Sequence, residues 1–242
     1  MTSTKHKHIA YNRLNGKSLS VIFMGGFRSD MTGSKALFLE QTCQELGLGF
    51  LRFDYSGHGE SDGDFATHTI SDWRADALLA FDELTEGEQI IIGSSMGAWL
   101  GMHTAIARPE RVKAFIGIAA APDFTEDLIW DKFDNFTREK IQRDGFINMP
   151  NCNDGEEPYH ITMRLIEDGR KNFLLDAPIN INCPVRLLHG MADEDVPYTI
   201  TTKIADKLTS NDVEVHLVKN STHRMSEAQD LQLLCEALMK LI

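Results

Sequence analysis

The chain has 242 residues, 24 basic and 36 acidic, and a formal net charge of -12, which argues against nucleic acid or an anionic membrane as its main partner, because both need a basic footprint. Hydrophobic residues make up 42% and charged residues 25%, as in an ordinary folded domain, and no apolar run reaches the roughly 18 residues of a membrane-spanning helix. The first ten residues are polar and lack the apolar core of a secretory signal, and Cys43, Cys152, Cys183 and Cys235 have no C-x-x-C spacing, so free thiols in a reducing, cytoplasmic compartment are expected rather than disulfides or a zinc site.

Short apolar, β-branched runs alternate with longer helical patterns. Strands are expected at Ile9–Leu14, Leu19–Phe23, Gly49–Phe53, Gln89–Ile92, Ala114–Ile118, Val185–Leu188 and Glu214–Val218. Helices are expected at Gly33–Leu46, Thr69–Glu83, Met96–Ala107, Tyr198–Leu208 and Ser226–Leu241. Strands separated by helices, several of them continuously apolar, imply a mostly parallel, doubly wound sheet of about seven to eight strands, buried on both faces. The rhythm breaks between about residues 123 and 177. That segment reads as helical without a clear strand, with a Gly/Pro/Asn-rich stretch at Asp144–Pro158. Long insertions inside compact domains usually serve function, so a helical lid over the carboxyl ends of the strands is expected within one domain spanning 1–242. Its apolar residues Ile129, Trp130 and Phe133 are expected to contact substrate.

Gly93-Ser94-Ser95-Met96-Gly97 is a G-x-S-x-G sequence between an apolar strand and a helix, the context of a nucleophile elbow. So tight a reversal forces Ser95 into a positive-φ conformation and leaves no room for a Cβ two residues to either side. A serine hydroxyl needs a base. His223, in Asn220-Ser221-Thr222-His223-Arg224-Met225, lies between the last strand and the last helix. His6 and His8 sit in the N-terminal tail, His103 within a helix, and His58 in a glycine-flanked turn where a structural role is expected. The acid comes from His189-Gly190-Met191-Ala192-Asp193-Glu194-Asp195. Asp193 is the first choice and Asp195 the alternative, because Glu194 and Asp195 also suit capping of the following helix. A carboxylate at that strand end would hold the histidine in its reactive tautomer. Two backbone N–H groups would complete an oxyanion hole: Met96, after the nucleophile, and Phe27, in Phe23-Met24-Gly25-Gly26-Phe27. The turn Asp54-Tyr55-Ser56-Gly57-His58-Gly59-Glu60-Ser61 matches neither a phosphate-binding loop nor a dinucleotide fingerprint, and Asp54 and Ser61 are expected to fix it.

These residues resemble those of α/β-hydrolases along essentially the whole chain. The stretches RFDYSGHGESDG, GSSMGAWL, AIARPERV and NCPVRLLHGMADEDVP, with HRM before an acidic helical segment, are similar to the acyl-glucuronide esterase and palmitoyl-protein thioesterase group of that fold. The resemblance implies hydrolysis of acyl esters or thioesters, with Ser95, Asp193 and His223 matching the group's triad. It implies a small-molecule or acyl-protein substrate and no metal or cofactor, in a monomer or homodimer. The group's mitochondrial address is not expected to carry over. A peptidase of the same fold, or a ligand-binding protein without catalysis, are the alternatives. A dehalogenase or epoxide hydrolase would need an aspartate where Ser95 stands.

Overall fold

The computed structural model describes residues 4–16, 19–149 and 158–242. One eight-stranded sheet runs through it: β1 (Thr4–His6), β2 (Ile9–Leu14), β3 (Ser20–Met24), β4 (Gly49–Phe53), β5 (Gln89–Ser94), β6 (Val112–Ile118), β9 (Val185–Gly190) and β10 (Val213–Val218). The spatial order is β1-β2-β4-β3-β5-β6-β9-β10. The β1–β2 and β2–β4 pairs are antiparallel, and every other neighbouring pair is parallel. The short strand β1 lay below the reach of the hydropathy pattern, having only three residues, Thr-Lys-His.

Side-chain alternation on β5 explains the double winding. Ile91 points into a core built with Trp73 of α2 (Ile70–Leu84) and Trp99 of α3 (Met96–Ala107). Ile90 and Ile92 point the other way, towards Leu39 of α1 (Ser34–Leu46) and Leu234 and Leu238 of α7 (Ala228–Met239). The helix α6 (Thr199–Lys207) joins the first core through Ile200 and Ile204. The helices expected from the sequence all form, with ends shifted by no more than two residues, as is usual for helix termini. No helix among the described residues is long and apolar enough to cross a membrane.

The segment between β6 and β9 departs from the helical reading. It holds a π-helical turn at Thr125–Ile129, a 3-10 turn at Trp130–Lys132, α4 (Asn135–Asp144) and α5 (Met163–Gly169). It also holds a hairpin, with β7 (Phe146–Met149) pairing antiparallel to β8 (Tyr159–Thr162). Ile147 and Ile161 are register partners and both are buried. Four-residue strands are too short to reveal a period of two against the polar stretch that joins them. Much of that stretch, with Cys152, lies outside the described residues. Cys43, Cys183 and Cys235 are free thiols.

Candidate active site

β5 ends at Ser94 and α3 begins at Met96, so Ser95 alone makes the reversal, with φ 55° and ψ -121°. The strain is held from both sides. Its N–H donates to the Ile118 carbonyl at 2.9 Å, and its carbonyl accepts from Ala98 at 3.0 Å and Ala121 at 3.3 Å. A Cβ at Gly93 would lie 2.5 Å from the Ala98 Cα, and one at Gly97 would lie 2.1 Å from the Met24 carbonyl oxygen. Both glycines are therefore required by close backbone approach, as the motif implies.

The structure brings the three widely separated side chains together. His223 Nε2 lies 3.1 Å from Ser95 Oγ, and His223 Nδ1 lies 2.8 Å from Asp193 Oδ2. With a carboxylate at Nδ1, the proton sits there and the Nε2 lone pair accepts from the serine hydroxyl. The Asp193 side chain is fully buried. Its Oδ1 accepts from the N–H groups of Asp195 at 2.9 Å and Val196 at 2.8 Å. Burial by itself raises its pKa, but hydrogen bonds from His189 and His223 outweigh this and hold the carboxyl well below the usual range. Asp195, the alternative acid, donates its backbone N–H to Asp193, and its carboxylate makes no hydrogen bond to His223.

His189 is the member of the site that sequence reasoning missed. It is fully buried at the end of β9. Its Nε2 faces two acceptors at 3.0 Å, Asp193 Oδ2 and the Val196 carbonyl, and so carries the proton; its Nδ1 accepts from the Thr201 hydroxyl at 2.6 Å. The only sequence signal for it is position, four residues before the acid on the same strand end.

The loop after β3 runs beside the serine. A Cβ at Gly26 would meet the Ser95 Cβ at 3.4 Å. Phe27 follows, with its ring edge-on to Phe65, Trp73 and Phe124 at 4.9 to 5.8 Å. The loop is pinned by His58, whose Nε2 accepts from the Arg28 N–H at 3.1 Å while Nδ1 donates to the Ser56 carbonyl at 3.2 Å. Burial pushes the His58 pKa down to about 4, which keeps the ring neutral and able to accept. Asp54 and Ser61 fix the glycine turn as expected. Asp54 accepts from the Met31 and Glu60 N–H groups, and the Ser61 hydroxyl donates to the Asp54 carbonyl. His103 Nε2 donates to the Asn172 carbonyl and is structural.

A cleft of about 1140 Å³ opens over Ser95 and His223. Its lining includes the apolar residues Phe27, Phe124, Leu128, Ile129 and Ile161. Of the three residues expected from the insertion to contact substrate, Ile129 lines it and Trp130 and Phe133 do not. The Arg138 and Arg170 guanidinium groups lie over the Trp130 ring, 5.2 and 4.9 Å from its centre. Phe133 packs edge-on to Trp130 and is buried in the core. Runs of apolar residues on irregular helical turns do not fix which side chain faces inward, and here two of them stabilise the segment itself. Its ends are joined by Asp123, at φ 60°, whose carboxylate accepts from the Leu174 and Leu175 N–H groups at 2.9 and 2.8 Å. Among the described residues, the one cluster with metal-ligand atoms within reach of each other is Asp193, Asp195 and His223. Both oxygens of Asp193 already accept hydrogen bonds there, which suits orienting a histidine rather than binding an ion.

Comparison with known proteins gives the family of the chain. The family model described as serine aminopeptidase, S33, matches residues 20–230. The mitochondrial palmitoyl-protein thioesterase ABHD10 of Bos taurus is 44% identical over 97% of this chain and 76% of its own; that of Homo sapiens is 43% identical over the same shares. The solved structure of mouse α/β hydrolase domain-containing protein 10 superposes with a TM-score of 0.91 at 41% identity, covering 99% of this chain and 97% of its own. A hydrolase structure from Agrobacterium vitis S4 gives a TM-score of 0.93 at 36% identity, covering 100% and 97%. The chain therefore belongs to the serine aminopeptidase S33 family of α/β-hydrolases, alongside ABHD10.

Proposed function

We propose that this chain hydrolyses acyl thioesters and carboxylic esters through an acyl-enzyme on Ser95. The observation that carries the reading is the continuous hydrogen-bonded relay from Ser95 Oγ through His223 to a buried, ionised Asp193, opening onto a cleft lined in part by apolar side chains. Ser95 attacks the acyl carbonyl carbon while His223 Nε2 takes the hydroxyl proton. The oxyanion is stabilised by the backbone N–H groups of Phe27 and Met96. His223 then gives the proton to the departing sulfur or oxygen as the carbon–sulfur or carbon–oxygen bond breaks. Water, deprotonated by the same nitrogen, attacks the acyl carbon, and Ser95 recovers its proton as the acid is released. Asp193 remains ionised throughout and stabilises the transient imidazolium.

The apolar side chains of the cleft lining support an acyl chain as the bound half of the substrate, and the thioesterase name carried by relatives at 43–44% identity supports a thiol as the leaving group. The peptidase reading draws on the family description alone. One panel decides between them: p-nitrophenyl esters and acyl thioesters of increasing chain length, beside aminoacyl amides. Turnover rising with chain length on esters and thioesters, and absent in Ser95→Ala by several orders of magnitude, is the expected result. Retained turnover in Ser95→Ala, or faster cleavage of amides than of thioesters, would overturn the reading.

A further inference from the structure

The loop bearing His223 is held first by its neighbours. The Ser221 carbonyl accepts from the Ala192 N–H at 3.0 Å, and the Ser221 hydroxyl donates to Asp230 on α7. Beyond the histidine the restraint comes from a distant part of the chain. Lys35, in the first turn of α1, donates from Nζ to the carbonyl of Arg224. Since α1 starts soon after Gly25-Gly26-Phe27, this bond links the helix that follows the oxyanion-side loop to the loop that carries the imidazole. The next residue, Met225, has φ 40° and a buried side chain. The bond at Arg224 and the packing of Met225 therefore bracket a strained peptide one step from His223.

A lysine is poorly placed here on its own account. A cation in the first turn faces the positive end of the helix, and the N-cap, Gly33, supplies no side-chain cap. Burial and then the neighbouring Arg224 lower the Lys35 pKa to about 8, with Asp230 opposing them. Groups held in locally unfavourable environments are candidates for function. What Lys35 gains in exchange is contact with the backbone of the histidine loop, at the edge of the cleft it lines with Arg224 and Ser226.

We propose that Lys35 is a positioning residue for the reaction, holding the Arg224 carbonyl so that the His223 ring keeps its distance and angle to Ser95. The proposal rests on the reading of His223 as the base. Lys35→Met removes the donor and keeps the apolar stem. It is expected to lower kcat on p-nitrophenyl acetate by about tenfold to a hundredfold, the usual scale of a small misplacement of a catalytic group. KM is expected to stay within about twofold, as for a loss confined to the chemical step. The rate of fluorophosphonate labelling should fall in parallel, and the downfield proton resonance of the His223–Asp193 bond should move. The melting temperature should hold or rise, since a desolvated cation has been removed. Lys35→Arg, which restores a cationic donor, should recover most of the labelling rate.

Wild-type kcat and labelling in Lys35→Met would overturn the proposal, as would a loss borne by KM or one that tracks a fall in melting temperature. Should Lys35→Met fail to fold, Lys35→Ala is judged by the same readouts. Ser95→Ala separates the two levels. If it is inactive and unlabelled while Lys35→Met is undisturbed, the positioning role alone is lost; if it stays active, the acyl-enzyme reading fails with it.

Discussion

Replacing Asp193 by asparagine tests the relay at its most constrained point. The carboxylate accepts four hydrogen bonds, from the N–H groups of Asp195 and Val196 on one oxygen and from His223 and His189 on the other. An asparagine has one oxygen and one NH₂. If its oxygen serves the two backbone donors, its NH₂ points at both imidazoles. It then donates to His223 Nδ1, the ring proton moves to Nε2, and Ser95 loses its acceptor. The loss of a triad carboxylate that fixes the tautomer is worth about 10⁴-fold in kcat, or about 5.5 kcal/mol of transition-state stabilisation. His189 Nε2–H would meet the same NH₂ donor to donor, and such an unsatisfied buried group costs about 1–3 kcal/mol in stability. Thioester hydrolysis followed by thiol release, with thermal unfolding on the same samples, measures both effects. Asp195→Asn is the internal comparison and should stay near wild type, because the Asp195 carboxylate, though near the imidazole, makes none of the relay's hydrogen bonds. Activity of Asp193→Asn within tenfold of wild type, or an equal loss in Asp195→Asn, would refute the argument.

Gly97→Ala puts a Cβ within 2.4 Å of two backbone carbonyl oxygens, those of Met24 and Gly25; overpacking against backbone should cost about 3 kcal/mol or more, read as a lowered melting temperature with the loop after β3 displaced. The folded pKa of His58, about 4, lies below its ordinary 6.5. Its contribution to stability is therefore complete above about pH 6.5 and is lost as pH falls through 4, a change of about 3 kcal/mol by linkage. Chemical denaturation across that range should show the loss in the wild type and much less of it in His58→Phe. Asp193, with its folded pKa depressed, adds to the same acid loss below the ordinary carboxylate range. Leu128→Trp, on the cleft wall, should shift the preferred acyl chain to shorter lengths, whereas Trp130→Ala should lower stability and leave the length profile unchanged.

The elbow, and the positions of Asp193 and His223 that meet it, were legible because each carries a local signature: two glycines around a serine between a strand and a helix, and polar residues at the ends of apolar strands. The order of the segments placed them at one end of the sheet without any knowledge of distance. What escaped was the set of groups that hold them. His58 reads as structural in the sequence but not as the partner of Arg28; His189 bonds Asp193, Val196 and Thr201 close by in the chain yet carries no motif; Lys35 makes a contact that its own neighbourhood does not announce. Lys35 bonds a carbonyl 189 positions away, and no periodicity reports that. The hairpin of Phe146–Met149 and Tyr159–Thr162 escaped for the opposite reason. Its pattern is local but too short, and alternation over four residues looks the same as a fragment of an amphipathic helix. Trp130 and Phe133 read as substrate contacts because their chemistry suits an acyl chain; which face a side chain takes on an irregular turn is decided by partners such as Arg138 and Arg170, which the pattern does not reveal.

The supporting groups share a physical logic. The serine, the histidine and the oxyanion-side loop stand on separate connections of the sheet, and loops drift more than the elements they join. Catalysis tolerates little drift, since the proton must pass across one hydrogen bond in a fixed direction. Several connections are therefore tied by a polar side chain to backbone: buried His58 to Arg28 and buried Asp123 to Leu174 and Leu175, half-buried Lys35 to Arg224, and, within its own loop, Asp193 to Asp195 and Val196. A tie to backbone is insensitive to which side chain the tied residue carries. The cleft wall can thus change residue by residue, and with it the acyl group accepted, while the distances at Ser95 stay fixed.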